Sequence, residues 1–166
     1  MTQSGAEASA ATGIPRVGST APDFVLSNQH GEPVNLSALR GSAVILVFFP
    51  FAFSGICTSE MRELQDNLPD FTAEGAVVLA VSVDSKFTLR AYGQAESLAF
   101  GLLSDFWPHG EVARLYGVFD KDRGMAARGT FIIDAGGIIR YTVVNPRGQA
   151  RELGEYRAAL HGLRAA

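Results

Sequence analysis

The sequence predicts an α/β sandwich, a central mixed β-sheet flanked by helices and preceded by an N-terminal β-hairpin. Three observations carry this. Ala43-Val44-Ile45-Leu46-Val47-Phe48-Phe49 and Val77-Val78-Leu79-Ala80-Val81 are unbroken apolar runs rich in branched residues, as strands covered on both faces require. Between them Cys57, Met61, Leu64, Leu68 and Phe71 recur at helical spacing, with Glu60, Arg62, Glu63, Gln65 and Asp66 read as the polar face. Further on, Gly129–Ile133 and Ile138–Val144 enclose Asp134-Ala135-Gly136-Gly137, a strong hairpin signal.

Taken in order, residues 1–15 are rich in Ala, Ser, Thr and Gly without periodicity, which predicts a disordered tail, with one domain over 16–166. Phe24-Val25-Leu26 and Val34-Asn35-Leu36 flank a glycine turn and form the first hairpin, after which Ser37 is placed to cap a helix. Pro69 is expected to kink the helix that begins at Cys57 or to restart it one turn later. Lys86–Leu98 reads as a second helix, Phe100–Leu103 as a short strand, Gly110–Tyr116 as a third helix and Glu152–Leu163 as a closing amphipathic helix.

Composition narrows the function classes. With 47% hydrophobic and 19% charged residues among 166, the chain can bury a sizeable core unaided. A net charge of -3 without any run of Lys or Arg lacks the electrostatic footprint of a nucleic-acid or anionic-membrane binder. No apolar stretch reaches the roughly 18 residues of a membrane span and no leader pattern opens the chain, so a cytoplasmic location is expected. His30, His109 and His161 are far apart and lack ligand spacing, so neither a metal nor a cofactor is expected.

The single cysteine carries the chemistry. It lies in Pro50-Phe51-Ala52-Phe53-Ser54-Gly55-Ile56-Cys57-Thr58-Ser59-Glu60, between the end of a buried strand and the start of a helix. There the helix dipole and unpartnered backbone N–H groups favour thiolate over thiol. Taken alone, a lone cysteine is as well read as a small core residue, Ser54 as a turn hydroxyl, Pro50 as the end of a strand, Arg128 as a surface cation and Glu60 as a first-turn acid.

The spacing Pro50-x-x-x-Ser54-x-x-Cys57, with Ser104-Asp105-Phe106-Trp107-Pro108-His109-Gly110 and Arg128-Gly129-Thr130-Phe131, resembles the peroxiredoxins of one-cysteine type, in particular their alkyl hydroperoxide reductase E branch. The resemblance runs from about Val17 to the C-terminus. It implies a thioredoxin-like fold and a thiol-dependent peroxidase in which Cys57 is the peroxidatic cysteine. It further implies that the Ser54 hydroxyl, where threonine is usual, meets the attacking sulfur, that Pro50 screens the pocket from water, and that Arg128 approaches the thiolate. Glu60 is implied to orient that arginine. Phe51, Phe53 and Trp107, on loops beside the motif, are candidates for lining the peroxide pocket.

Full ionisation of an ordinary thiol near pH 7 is worth only about 30-fold, or roughly 2 kcal/mol. The rest of an enzymatic acceleration has to come from alignment of the O–O bond and stabilisation of the leaving oxygen. Cys-Thr-Ser-Glu offers no second cysteine, which argues against a disulfide oxidoreductase and implies that an external thiol recycles the sulfenic acid. The resemblance implies mycothiol with mycoredoxin as reductant, and the residues alone also permit glutathione, bacillithiol or thioredoxin. It implies a homodimer too. The neighbouring reading is the bacterioferritin-comigratory branch, and the reading from another class is a peroxide sensor passing oxidation from Cys57 to a partner protein. All of these require a guanidinium and an alcohol to converge on the sulfur; a sulfur sealed in apolar packing would count against them.

Overall fold

The structure, a computed structural model, describes residues 13–146 and 148–164. Most of the expected tail, residues 1–12, lies outside them. Among the described residues the strands are β1 (Val25–Asn28), β2 (Pro33–Asn35), β3 (Ala43–Phe48), β4 (Ala76–Ser82), β5 (Gly101–Ser104), β6 (Phe119–Asp120), β7 (Met125–Ala126), β8 (Arg128–Ile133) and β9 (Ile139–Asn145). The helices are α1 (Gly55–Ala73), α2 (Lys86–Glu96), α3 (Glu111–Leu115) and α4 (Leu153–Arg164). Seven strands form one mixed sheet in the order β2-β1-β5-β4-β3-β8-β9, and β6 pairs with β7 apart from it.

The apolar runs at β3 and β4 sit in the middle of that sheet because both of their faces are covered. Ile45, Val47 and Phe49 join a core with Met61, Leu64 and Phe71 of α1, Leu89 and Tyr92 of α2, and Tyr156 and Leu160 of α4. Val44, Leu46 and Phe48 point the other way, into a second core with Phe24, Leu36, Val112, Tyr116 and Phe131. Alternate residues of one strand thus feed two cores, which is why the strand shows no alternation in polarity.

Three local expectations are corrected. The turn after β2 is capped by Asn35, whose side chain accepts from the Ser37 N–H, and Leu36–Leu39 forms only a 3-10 turn. Helix α1 starts two residues before Cys57 and continues through Pro69 without the restart, with the buried side chains of Leu64 and Phe71 anchoring it on either side of the proline. Glu60 is not on the polar face; it is buried on the stripe that carries Cys57, Met61 and Leu64.

Register brings the site together. β3 is paired in parallel with β4 and antiparallel with β8, with Val47 opposite Thr130, so Arg128, two residues earlier on β8, lies past the end of β3 where the chain turns toward α1. β9 returns antiparallel with Asn145 opposite Arg128, which delivers the segment leading into α4 to the same end of the sheet.

Candidate active site

Ser54 is the N-cap residue of α1, in extended conformation, and Cys57 occupies the first turn, where backbone N–H groups have no partner within the helix. The loop that leads there is tied down at several points. The Ala52 N–H donates to Asp84 Oδ2 at 2.8 Å, and the Ser82 hydroxyl donates to the same oxygen at 2.6 Å. Phe53 has a positive φ of 66°, and its ring lies 5.0 Å from that of Tyr92. The Tyr92 hydroxyl donates to Thr58 Oγ1 at 3.2 Å, tying α2 to the first turn of α1. Burial pushes the Tyr92 phenol up to about 12, with the Thr58 bond opposing and nearby negative charge adding to the rise, so it remains a neutral donor.

At the sulfur, Arg128 Nη2 donates to Cys57 Sγ at 3.3 Å and Arg128 Nη1 donates to Glu60 Oε1. Glu60 is shared with a second guanidinium. Arg151 Nε and the Arg151 backbone N–H both donate to Oε2 at 2.9 Å, and Arg151 Nη2 donates to Oε1 at 2.9 Å. The remaining nitrogen of Arg151, Nη1, reaches the Phe48 carbonyl at 2.7 Å and the Gly129 carbonyl at 2.9 Å. Glu60, Arg128 and Arg151 are each at most 3% exposed. Burial on its own would raise the Glu60 carboxyl, yet the hydrogen bonds and charge of Arg151, with the charge of Arg128, hold it below its ordinary value. The three side chains sum to one positive charge, and a sulfur anion brings the group of four to zero.

Gly129 is required between these arginines and the second core, because a Cβ there would meet Val118 Cγ1 at 2.9 Å.

The guanidinium expected at the sulfur is there; the alcohol is not. The Ser54 hydroxyl donates to the Phe51 carbonyl at 2.9 Å, closing the tight loop before the helix instead of turning to Cys57. Cys57 has no exposed surface and belongs to the core that includes Phe49, Met61 and Tyr92, so on one side the sulfur is in the apolar surroundings that count against reactivity. On the other side Arg128 of β8 brings a charged donor to 3.3 Å from the sulfur, a contact that apolar packing does not supply. Pro50 is buried just past β3. Phe51 and Phe53 are partly exposed above the loop, at 40% and 56%. Trp107 borders a groove of about 330 Å³ with Val25, Leu26, Phe87 and Phe106, and neither Phe51, Phe53 nor Cys57 lines it.

Arg151 was not singled out by sequence reasoning, since an arginine in a polar stretch before a helix looks like any surface cation. The available signal was indirect. Glu60 falls three residues after Cys57 and four before Leu64, on the apolar stripe, and a buried carboxylate needs cationic partners. Among the described residues no cluster of three or more His, Cys, Asp or Glu is arranged to hold a metal, and the His109 ring is engaged with the Gly124 carbonyl at 2.7 Å.

A single cysteine at a helix start, contacted by an arginine of strand β8 in a mixed sheet with helices on both faces, is an arrangement suited to thiol chemistry. Comparison with known proteins makes this specific. Residues 17–142 match the model of the AhpC/TSA family, and the chain belongs to that family of peroxiredoxins. It is 45% identical over 150 residues to alkyl hydroperoxide reductase E of Mycobacterium tuberculosis, covering 90% of this chain and 98% of that protein. It is 36% identical over 155 residues to peroxiredoxin-2 of Mus musculus, covering 87% of this chain and 77% of that one. The fold is similar to that of the reduced 2-Cys peroxiredoxin of Plasmodium vivax, with a TM-score of 0.83, 28% identity, and 91% and 83% of the two chains covered. The protein is thus a thiol-dependent peroxidase, with one cysteine in its sequence.

Proposed function

We propose that Cys57 is the reacting sulfur and that Arg128, held by Glu60 and Arg151, presents the anion to a hydroperoxide. The thiolate attacks one peroxide oxygen, an S–O bond forms as the O–O bond breaks, and the electron pair leaves on the other oxygen, which takes a proton from water to give water or an alcohol. Sulfur is oxidised to the sulfenic acid and the peroxide is reduced. The observation that carries this reading is the 3.3 Å contact from Arg128 Nη2 to Cys57 Sγ, made by a guanidinium whose other nitrogen is fixed on Glu60. Without a second cysteine in the chain, an external thiol condenses with the sulfenic acid, releasing water, and a second thiol frees Cys57 from the resulting mixed disulfide.

Mycothiol with mycoredoxin as the reductant and a homodimeric assembly are part of this proposal on the strength of the resemblance carried by the Pro50–Cys57 and Arg128–Phe131 motifs, and a cytoplasmic setting completes it. No helix among the described residues is long and apolar enough to cross a membrane. Stopped-flow mixing of the prereduced protein with hydrogen peroxide, an alkyl hydroperoxide and peroxynitrite, followed by mass spectrometry, is expected to find a sulfenic acid at Cys57. Peroxide consumed without any change at that residue refutes the assignment. Turnover with each candidate thiol in turn identifies the reductant, and sedimentation the assembly.

A further inference from the structure

Behind the arginines lies a pair of hydroxyls that peroxide chemistry does not touch. Thr130 on β8, fully buried, and Tyr156 on α4, 1% exposed, bring Oγ1 and OH to 2.6 Å. Valine and phenylalanine would fill the same space with no polar group to satisfy, and replacing both partners of a buried hydrogen bond by apolar groups of the same shape can be nearly neutral. What singles this pair out is its neighbour: Arg151 Nη1 donates to Thr130 Oγ1 at 3.3 Å.

That nitrogen carries two hydrogens and faces three oxygens, those of Phe48, Gly129 and Thr130. The orientation of the Thr130 hydroxyl therefore bears on the plane of the guanidinium. Rotating that plane moves Nε and Nη2, the two nitrogens on Glu60, and with them the carboxylate that also holds Arg128. We infer that the Tyr156 phenol, acting through Thr130, is a positioning group for the arginine pair at Cys57. The route runs Tyr156, Thr130, Arg151, Glu60, Arg128, Cys57, each step a hydrogen bond between buried side chains. It joins the C-terminal helix to the sulfur. Burial raises the Tyr156 phenol above its ordinary value, against the opposing charge of Arg151 and the bond to Thr130, which keeps it neutral. Loosening Arg151 lets Glu60 turn more of its negative charge on Arg128, leaving less of that guanidinium for the sulfur.

The test is the pH profile of Cys57 alkylation by iodoacetamide, read by mass spectrometry, alongside the peroxide rate, in Tyr156→Phe, Thr130→Val and the double variant. Each single change is expected to move the alkylation midpoint upward by about half a pH unit and to slow peroxide reduction roughly three- to fivefold. The double variant should do no more than the larger single. Tyr141→Phe is the control. Its ring packs edge-on to Tyr156 at 6.1 Å, but its hydroxyl bonds to Glu155, so its profile should match the parent. A Tyr156→Phe midpoint equal to the parent's, additive effects in the double variant, or an equal shift in Tyr141→Phe overturns the inference. It rests on Cys57 as the reacting sulfur. Failure of that reading shows separately, as absence of peroxide-dependent oxidation at Cys57, while the alkylation profile still reports the geometry at the sulfur.

Discussion

Arg151→Met tests the site through stability. The change keeps a long unbranched side chain but removes five contacts: Nε on Glu60 Oε2 and Nη2 on Oε1, both at 2.9 Å, and Nη1 on the carbonyls of Phe48 at 2.7 Å and Gly129 at 2.9 Å and on Thr130 Oγ1 at 3.3 Å. The backbone N–H of residue 151 remains on Oε2. Removing one partner of a buried ion pair costs about 3–5 kcal/mol, and because Arg128 still neutralises Glu60 the low end applies, about 3 kcal/mol. Two carbonyls that lose a donor add about 1 kcal/mol each. The total, near 5 kcal/mol, lowers the melting temperature of a domain this size by roughly 10–20 °C.

Scanning calorimetry at pH 7 measures it, and a fall of less than about 3 °C refutes the reasoning. The pH dependence supplies a second check. Glu60 is held below its ordinary value of 4.5, so the folded state gains stability from it above that value and loses it as pH falls through the lower folded value. The gap between parent and variant should therefore be constant from about pH 5 to 8 and narrow in more acidic solution.

Cys57→Ser is expected to reduce peroxide consumption to the buffer background, as followed by a peroxide electrode; residual turnover there would move the chemistry elsewhere. Arg128→Ala should slow the reaction of Cys57 with peroxide by roughly 100-fold or more, the scale of losing one donor to a developing charge, and move the alkylation midpoint upward. An undiminished stopped-flow rate removes Arg128 from the mechanism. Ser54→Thr should leave the rate nearly unchanged. Ser54→Ala should cost less than the ~1 kcal/mol of an ordinary cap, because the Ser54 side chain makes no capping bond, and a melt showing the full loss contradicts that account. Tyr92→Phe leaves Thr58 without its 3.2 Å donor and should cost about 1 kcal/mol while speeding alkylation of Cys57; an unchanged alkylation rate would show that this tie does not hold the first turn.

Much of the architecture was legible because it depends on patterns a chain cannot hide. The runs at β3 and β4 are apolar throughout because two cores claim alternate residues, and Asp134–Gly137 turns because Asp134 Oδ1 accepts from the N–H groups of Gly136 and Ile138 while Gly137 adopts φ 84°. Of the two outcomes expected at Pro69 the restart does not occur, since the proline's cost to the helix is local and the packing of Leu64 and Phe71 is not. The two-residue strands β6 and β7 are too short to show any period. In the site, the resemblance to the peroxiredoxins pointed to Cys57 and Arg128, which the register of β3 and β8 brings to one end of the sheet. Arg151 and Tyr156 stayed invisible because their significance lies in long-range partners, 91 and 26 residues away. Ser54 shows the opposite limit: the residue type was informative, but the rotamer that sends its hydroxyl to Phe51 is a local choice no pattern encodes.

The complete enclosure of Cys57 separates the two halves of the cycle by steric demand. On the proposed cycle, a hydroperoxide of two oxygens reaches a sulfur without exposed surface with less movement of its cover than a thiol carrying a large group does.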